Sequence, residues 1–189
     1  MRIAVSGSHR TGKSTLIAEL AALLPGYSTV DEPYWLLEDD GHEFSHPPSI
    51  EDYEAQLARS IGELEDAGDD VIFDRCPLDL LAYIAVHVDH GSFDIREWLP
   101  QVRAALQALD LLVLVPIEDR DRIALADADD DDGGELRATV DEKLRELVCD
   151  DPYGFGLPYM EVRGDLGSRA QAVLRELRGI HWRPEGPAL

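Results

Sequence analysis

Near the start of the chain, Gly7-Ser8-His9-Arg10-Thr11-Gly12-Lys13-Ser14 sets two glycines five residues apart and follows the second with a lysine and a hydroxyl. That spacing is G-x-x-x-x-G-K-[ST], a phosphate-binding pattern when it joins a strand to a helix. The glycines let the backbone turn so that successive N–H groups point at phosphate oxygens. Lys13 then brings charge to the β and γ phosphates, and Ser14 brings an oxygen to magnesium. With Thr15 added, Gly7 to Thr15 is the expected nucleotide site. Its metal needs a second acidic group, and Val71-Ile72-Phe73-Asp74, an apolar run ending in an aspartate, offers Asp74 beside Ser14. The expected cofactors are ATP and Mg2+; ATP is preferred to the alternative, GTP, because no N-K-x-D or T-K-x-D segment is present to read guanine.

Arginines carry almost all the remaining positive charge, because Lys13 and Lys143 are the only lysines. Arg75 follows Asp74 directly and can fork onto phosphate or carboxylate oxygens. Arg120 and Arg122 stand at the edge of an acidic run, Asp127 to Asp132, where they would close over a phosphoryl group as charge spreads onto its oxygens; Arg137 is a further candidate. Gln56, Arg59, Asp79 and Tyr83 fall on helical segments expected to line an acceptor pocket. His42, Glu43 and His46 lack a third histidine or cysteine nearby and read as a solvated loop, so no metal but magnesium is expected. Cys76 and Cys149 are far apart and read as reduced thiols.

The elements that must hold these groups alternate. Arg2 to Ser6 reads as a buried strand, and the phosphate loop leads into a helix bearing Leu16, Ile17, Leu20, Leu23 and Leu24. A second strand, Tyr27 to Asp31, delivers Glu32 and Pro33. Residues 38–48 read as loop, and Ser49 with Asp52 opens a helix through a capping box. A third strand ends at Asp74, helices follow over Leu78 to Val88 and Ile95 to Leu109, and Leu111 to Val115 is a fourth strand. Beyond it, residues 118–135 hold too little apolar surface to fix a structure and are expected to be a mobile acidic lid. A helix from Glu135 to Val148, a fifth strand near Met160 to Val162, a helix from Leu166 to Leu177 and a loosely held tail at 181–189 complete the pattern. Strands alternating with helices imply an α/β fold: three layers, a five-stranded parallel sheet with helices on both faces, the P-loop NTPase architecture.

The chain has 189 residues, enough for one core, so a single domain over 1–180 is expected. A formal net charge of -22 with no basic patch argues against nucleic acid or an anionic membrane as partner, and no apolar run is long enough to span a bilayer. A cytoplasmic protein acting on a small molecule is expected.

The sequence resembles the P-loop kinases of the nucleoside and nucleotide type, and especially AAA-domain proteins related to the ribosylnicotinamide kinase domain of NadR. The resemblance rests on Gly7 to Thr15, Asp31-Glu32-Pro33 and Asp74-Arg75-Cys76-Pro77-Leu78-Asp79-Leu80-Leu81-Ala82-Tyr83 in that order, and on Val162-Arg163-Gly164-Asp165. It implies ATP-dependent phosphoryl transfer, with the carboxylate at the end of the second strand taking the acceptor's proton. Glu32 occupies that place, with Asp31 as competitor. It leaves the acceptor open: a nucleoside-like metabolite or an antibiotic, with a regulatory ATPase lacking an acceptor as the other reading.

Overall fold

The computed structural model describes residues 1–87, 90–118 and 131–181. Five strands, β1 (Arg2–Ser6), β2 (Ser28–Val30), β3 (Val71–Asp74), β4 (Leu111–Leu114) and β5 (Tyr159–Glu161), pair in the order β2-β3-β1-β4-β5. Every pairing is parallel. Parallel pairing requires crossovers, and the helices that supply them cover both faces.

Alternation along the strands divides the core in two. Ala4, Phe73, Leu112 and Leu114 face a layer that includes α3 (Ile50–Asp66), α4 (Pro77–Val86), α5 (Ile95–Leu106) and α6 (Asp131–Arg145). Ile3, Val5, Ile72, Leu111 and Val113 face α1 (Lys13–Leu23) and α7 (Leu166–His181). The central strands read as unbroken apolar runs because both of their faces are covered.

The capping box at Ser49 forms as expected: the Ser49 side chain accepts from Asp52 N at 3.2 Å, and Asp52 Oδ2 accepts from Ser49 N at 2.8 Å. One α-helix was not anticipated, the short α2 (Pro33–Asp39). Proline is tolerated in a first helical turn because its missing N–H is not needed there, so Pro33 starts a helix rather than merely stiffening a turn. Helix α6 begins four residues earlier than expected and runs into a π-helical turn at Glu146–Asp150. Most of the expected lid, with Arg120 and Arg122, and the tail beyond His181 lie outside the described residues.

The connection from β1 leads to β2 on one side of it, and that from β3 passes over β1 to β4 on the other. Strand order therefore reverses beside β1, and open α/β sheets bind ligands at the C-terminal strand ends of such a point. There the phosphate loop lies.

Candidate active site

The loop joins the end of β1 to the first turn of α1. Gly12 adopts φ 91°, a left-handed conformation that costs glycine little. At Gly7 the constraint is contact: a Cβ there would lie 2.4 Å from Val115 O, so only a residue without one fits.

Each carbonyl from Gly7 to Thr11 meets a side-chain donor. Arg75 Nη1 donates to Gly7 O at 3.0 Å, and Lys13 Nζ and Thr11 Oγ1 donate to Ser8 O at 3.0 and 3.1 Å. Arg137 Nε donates to His9 O at 2.9 Å and its Nη2 to Arg10 O at 3.4 Å; Arg169 Nη1 donates to Thr11 O at 2.9 Å. Carbonyls taken by donors from outside the loop, as those of His9, Arg10 and Thr11 are, leave the loop's N–H groups to converge on an anion. Burial, then Arg75, lowers the Lys13 pKa to about 8, although Asp74, Asp79 and Glu32 favour its charge. Burial, then Arg137, Arg75 and Lys13, lowers His9 to about 4.

The structure brings Ser14 and Asp74 together, with Ser14 Oγ donating to Asp74 Oδ2 at 2.9 Å. Asp74 Oδ1 is buried without a hydrogen-bond partner, and burial raises the Asp74 pKa against Lys13 and Ser14. A buried carboxylate oxygen that no protein group satisfies fits a hard cation. Ser14 and Asp74 thus suit magnesium and would hold it. Among the described residues, no group of three or more histidine, cysteine, aspartate or glutamate side chains offers another metal site.

Arg75 organises the opposite charge. Its backbone is left-handed at φ 78°, its N–H donates to Val5 O at 3.0 Å, and the guanidinium is buried. Nε lies 2.7 Å from Glu32 Oε1 without aiming its N–H at that oxygen, and Nη1 lies 3.4 Å from Asp79 Oδ1. The Tyr83 ring lies beneath it, 5.2 Å from Cζ to the centroid. Burial opposes the guanidinium charge, but Tyr83, Glu32 and Asp79 outweigh it and raise the pKa. Glu32 is partly exposed and Asp31 exposed.

One pocket assignment needs correction. Asp79 lines no acceptor pocket: it is wholly buried, accepting from Gly7 N at 3.0 Å through Oδ1 and from Cys76 N at 3.0 Å through Oδ2. It sits at the third position of α4, where a carboxylate returns to cap the helix start, so local capping chemistry draws it inward. Arg59 pairs with Asp40 and with Glu63, the latter at 2.7 Å. Gln56 is buried, with Nε2 donating to Asp52 O at 3.2 Å. Tyr83 stacks on Tyr53 with centroids 5.6 Å apart, and its hydroxyl lies 3.4 Å from His9 Nδ1.

Beside the loop is a cavity of about 140 Å³ walled by Arg10, Thr11, Gly12, Thr15, Glu118 and Arg169 among others. Glu118 Oε1 accepts from Gly164 N at 2.8 Å and from Arg169 Nη2 at 2.7 Å, closing that wall. Neither Glu118 nor Arg169 stood out in the sequence.

The model of a family described as "AAA domain" matches residues 2–169. The chain belongs to that family. No curated protein matches this AAA-domain chain. Among solved structures, a deoxyadenosine kinase from M. mycoides, with products dCMP and a flexible dCDP bound, is similar at TM-score 0.63 and 19% identity, over 95% of this chain and 100% of that one. The YorR protein from Bacillus subtilis, in complex with phosphorylated GDP, is similar at TM-score 0.67 and 17% identity, over 98% and 100%. NadR in complex with NR has TM-score 0.67 and 16% identity, covering all of the AAA-domain chain and 52% of that protein. At such identities the likeness establishes the fold. Among the described residues, no helix is long and apolar enough to cross a membrane.

Proposed function

We propose that the AAA-domain chain is an ATP-dependent kinase that transfers the γ-phosphoryl group to a hydroxyl or phosphate of a nucleoside-like small molecule. The observation that carries this reading is the bridge made by Arg75, which holds the Glu32 carboxylate at 2.7 Å while donating to Gly7 O at 3.0 Å. A switch that only binds nucleotide has no need of a second-strand carboxylate held one guanidinium away from its phosphate loop. The similar deoxyadenosine kinase acts on a nucleoside, which supports the same class of acceptor.

Glu32 takes the acceptor proton, with Asp31 too exposed to be held as firmly. A carboxylate has about four acceptor sites, so Glu32 keeps lone pairs for a substrate hydroxyl while its Oε1 lies 2.7 Å from Arg75 Nε. Lys13 and Arg75 neutralise charge on the transferring group, and Arg120 and Arg122 are proposed to close over it. Ser14 and Asp74 would hold magnesium, which would supply positive charge to offset that of the phosphates. Gly7 to Thr15 would hold the phosphates of the donor nucleotide, and the cavity walled by Thr15, Glu118 and Arg169 adjoins them. Free cysteines at Cys76 and Cys149 accord with a cytoplasmic setting.

ATP consumption with magnesium, screened against nucleosides, nucleoside monophosphates, ribosylnicotinamide and antibiotic acceptors, tests the proposal with Lys13→Ala as blank. Acceptor-dependent turnover absent from the blank supports a kinase. Tight ATP binding with no response to any acceptor favours a regulatory ATPase.

A further inference from the structure

Three arginines far apart in sequence converge on the phosphate loop's carbonyls. Arg75 reaches Gly7 O from the turn after β3, Arg137 reaches His9 O and Arg10 O from α6, and Arg169 reaches Thr11 O from α7. Arg137 and Arg169 are 5% and 8% exposed, so each charge has been removed from water to meet these acceptors. The loop returns the contact, since Ser8 Oγ donates to Arg137 O at 2.9 Å. Arg169 is itself anchored at 2.7 Å by Glu118, which also takes Gly164 N.

We propose that Arg137 and Arg169 are positioning residues: they act on nucleotide through the loop's carbonyls, and neither touches the transferring phosphoryl group. A peptide unit has one orientation, so fixing the His9, Arg10 and Thr11 carbonyls outward fixes the following N–H groups inward. A guanidinium suits this work because its donors diverge in a rigid plane and span two acceptors at once. Arg137 spans His9 O and Arg10 O; Arg169 spans Thr11 O and Glu118 Oε1. An ammonium at the same place carries equal charge but cannot hold the same pair in one plane.

This inference rests on the nucleotide-binding half of the function proposed above. Its test is calorimetric titration of wild type, Arg137→Lys, Arg137→Met, Arg169→Lys and Glu118→Gln with Mg·ADP and with Mg·ATP. Each protein is held well below its own melting temperature, so that affinities refer to folded protein. The expected result is a loss of about tenfold or more in both Arg→Lys variants, equal for ADP and ATP, because both nucleotides place a β-phosphate in the loop. Glu118→Gln, which loosens Arg169 without altering the loop, is expected to give a smaller loss of the same even kind.

Lysine variants that bind like wild type would overturn the proposal and leave only charge at work. A loss confined to ATP would overturn it in favour of direct γ-phosphate contact. Wild-type protein that binds neither nucleotide would instead overturn the functional reading, and the inference with it.

Discussion

Arg75 Nε lies 2.7 Å from Glu32 Oε1 while Nη1 of the same guanidinium donates to Gly7 O, so one side chain joins the end of β2 to the start of the phosphate loop. The pair is charged, and Arg75 is held in a left-handed backbone by its bond to Val5 O. A conformation that a non-glycine residue adopts at a cost persists when its surroundings fix it, and such residues gather at functional sites.

Arg75→Lys should therefore keep a positive charge near Glu32 but lose one end of the bridge. Acceptor-dependent kcat is expected to fall about 10- to 100-fold, with a smaller change in ATP affinity. Arg75→Met leaves the Asp79 charge buried without its cation and should also cost about 3–5 kcal/mol in urea unfolding. Steady-state kinetics and a denaturation midpoint separate the two effects.

Asp79 supplies the structural counterweight. Asp79→Ala strips acceptors from Gly7 N and Cys76 N and leaves Arg75 with one carboxylate fewer. A loss of about 3–5 kcal/mol is expected. Asp79→Asn keeps one oxygen for the Cys76 N–H and should lose less. Urea midpoints of the two variants, compared with wild type, give the order directly.

Gly7→Ala tests the closest contact in the loop. The added methyl would stand 2.4 Å from Val115 O, so backbone must shift on one side or the other. Overpacking of this kind costs about 1–3 kcal/mol, and the displaced loop should lose measurable ATP binding. Thermal unfolding with and without Mg·ATP reads both, since a binding-competent variant is stabilised by nucleotide and an incompetent one is not.

Nucleotide affinity should fall as pH rises above about 8. Burial, then Arg75, lowers the pKa of Lys13 in the free protein to about 8, so its proton leaves through that range. A bound triphosphate favours the charged ammonium and raises the pKa again. Binding then takes up a proton above pH 8, and affinity drops by up to about tenfold per pH unit. Calorimetry in two buffers of different ionisation heat should record that uptake, and Lys13→Arg should remove the pH dependence.

What the sequence could reveal was what lies close together along it. The phosphate loop, the run ending in Asp74 and the Ser49 capping box are each contiguous, and their chemistry is written in their spacing. The five-stranded parallel sheet followed from alternation and crossovers, whereas the order of its strands rests on pairings between segments distant in sequence. Arg137 and Arg169 reach the loop from more than a hundred residues away, and no local pattern marks an arginine that will meet a carbonyl. Asp79 was read as a pocket residue because its helix was placed correctly while its inward capping bond was not foreseen. Helix α2 was missed because Pro33, a residue that ends helices elsewhere, here occupies a first turn.

Glu32→Gln gives the most direct test of the account. Glutamine keeps the size of the side chain and an oxygen for Arg75 but cannot accept the acceptor's proton, and removing a general base costs about 10²- to 10⁴-fold. With an acceptor that stimulates wild-type ATP turnover, the variant is expected to lose at least a hundredfold in kcat while binding Mg·ATP as wild type does. Unchanged acceptor-dependent turnover in Glu32→Gln would contradict the account.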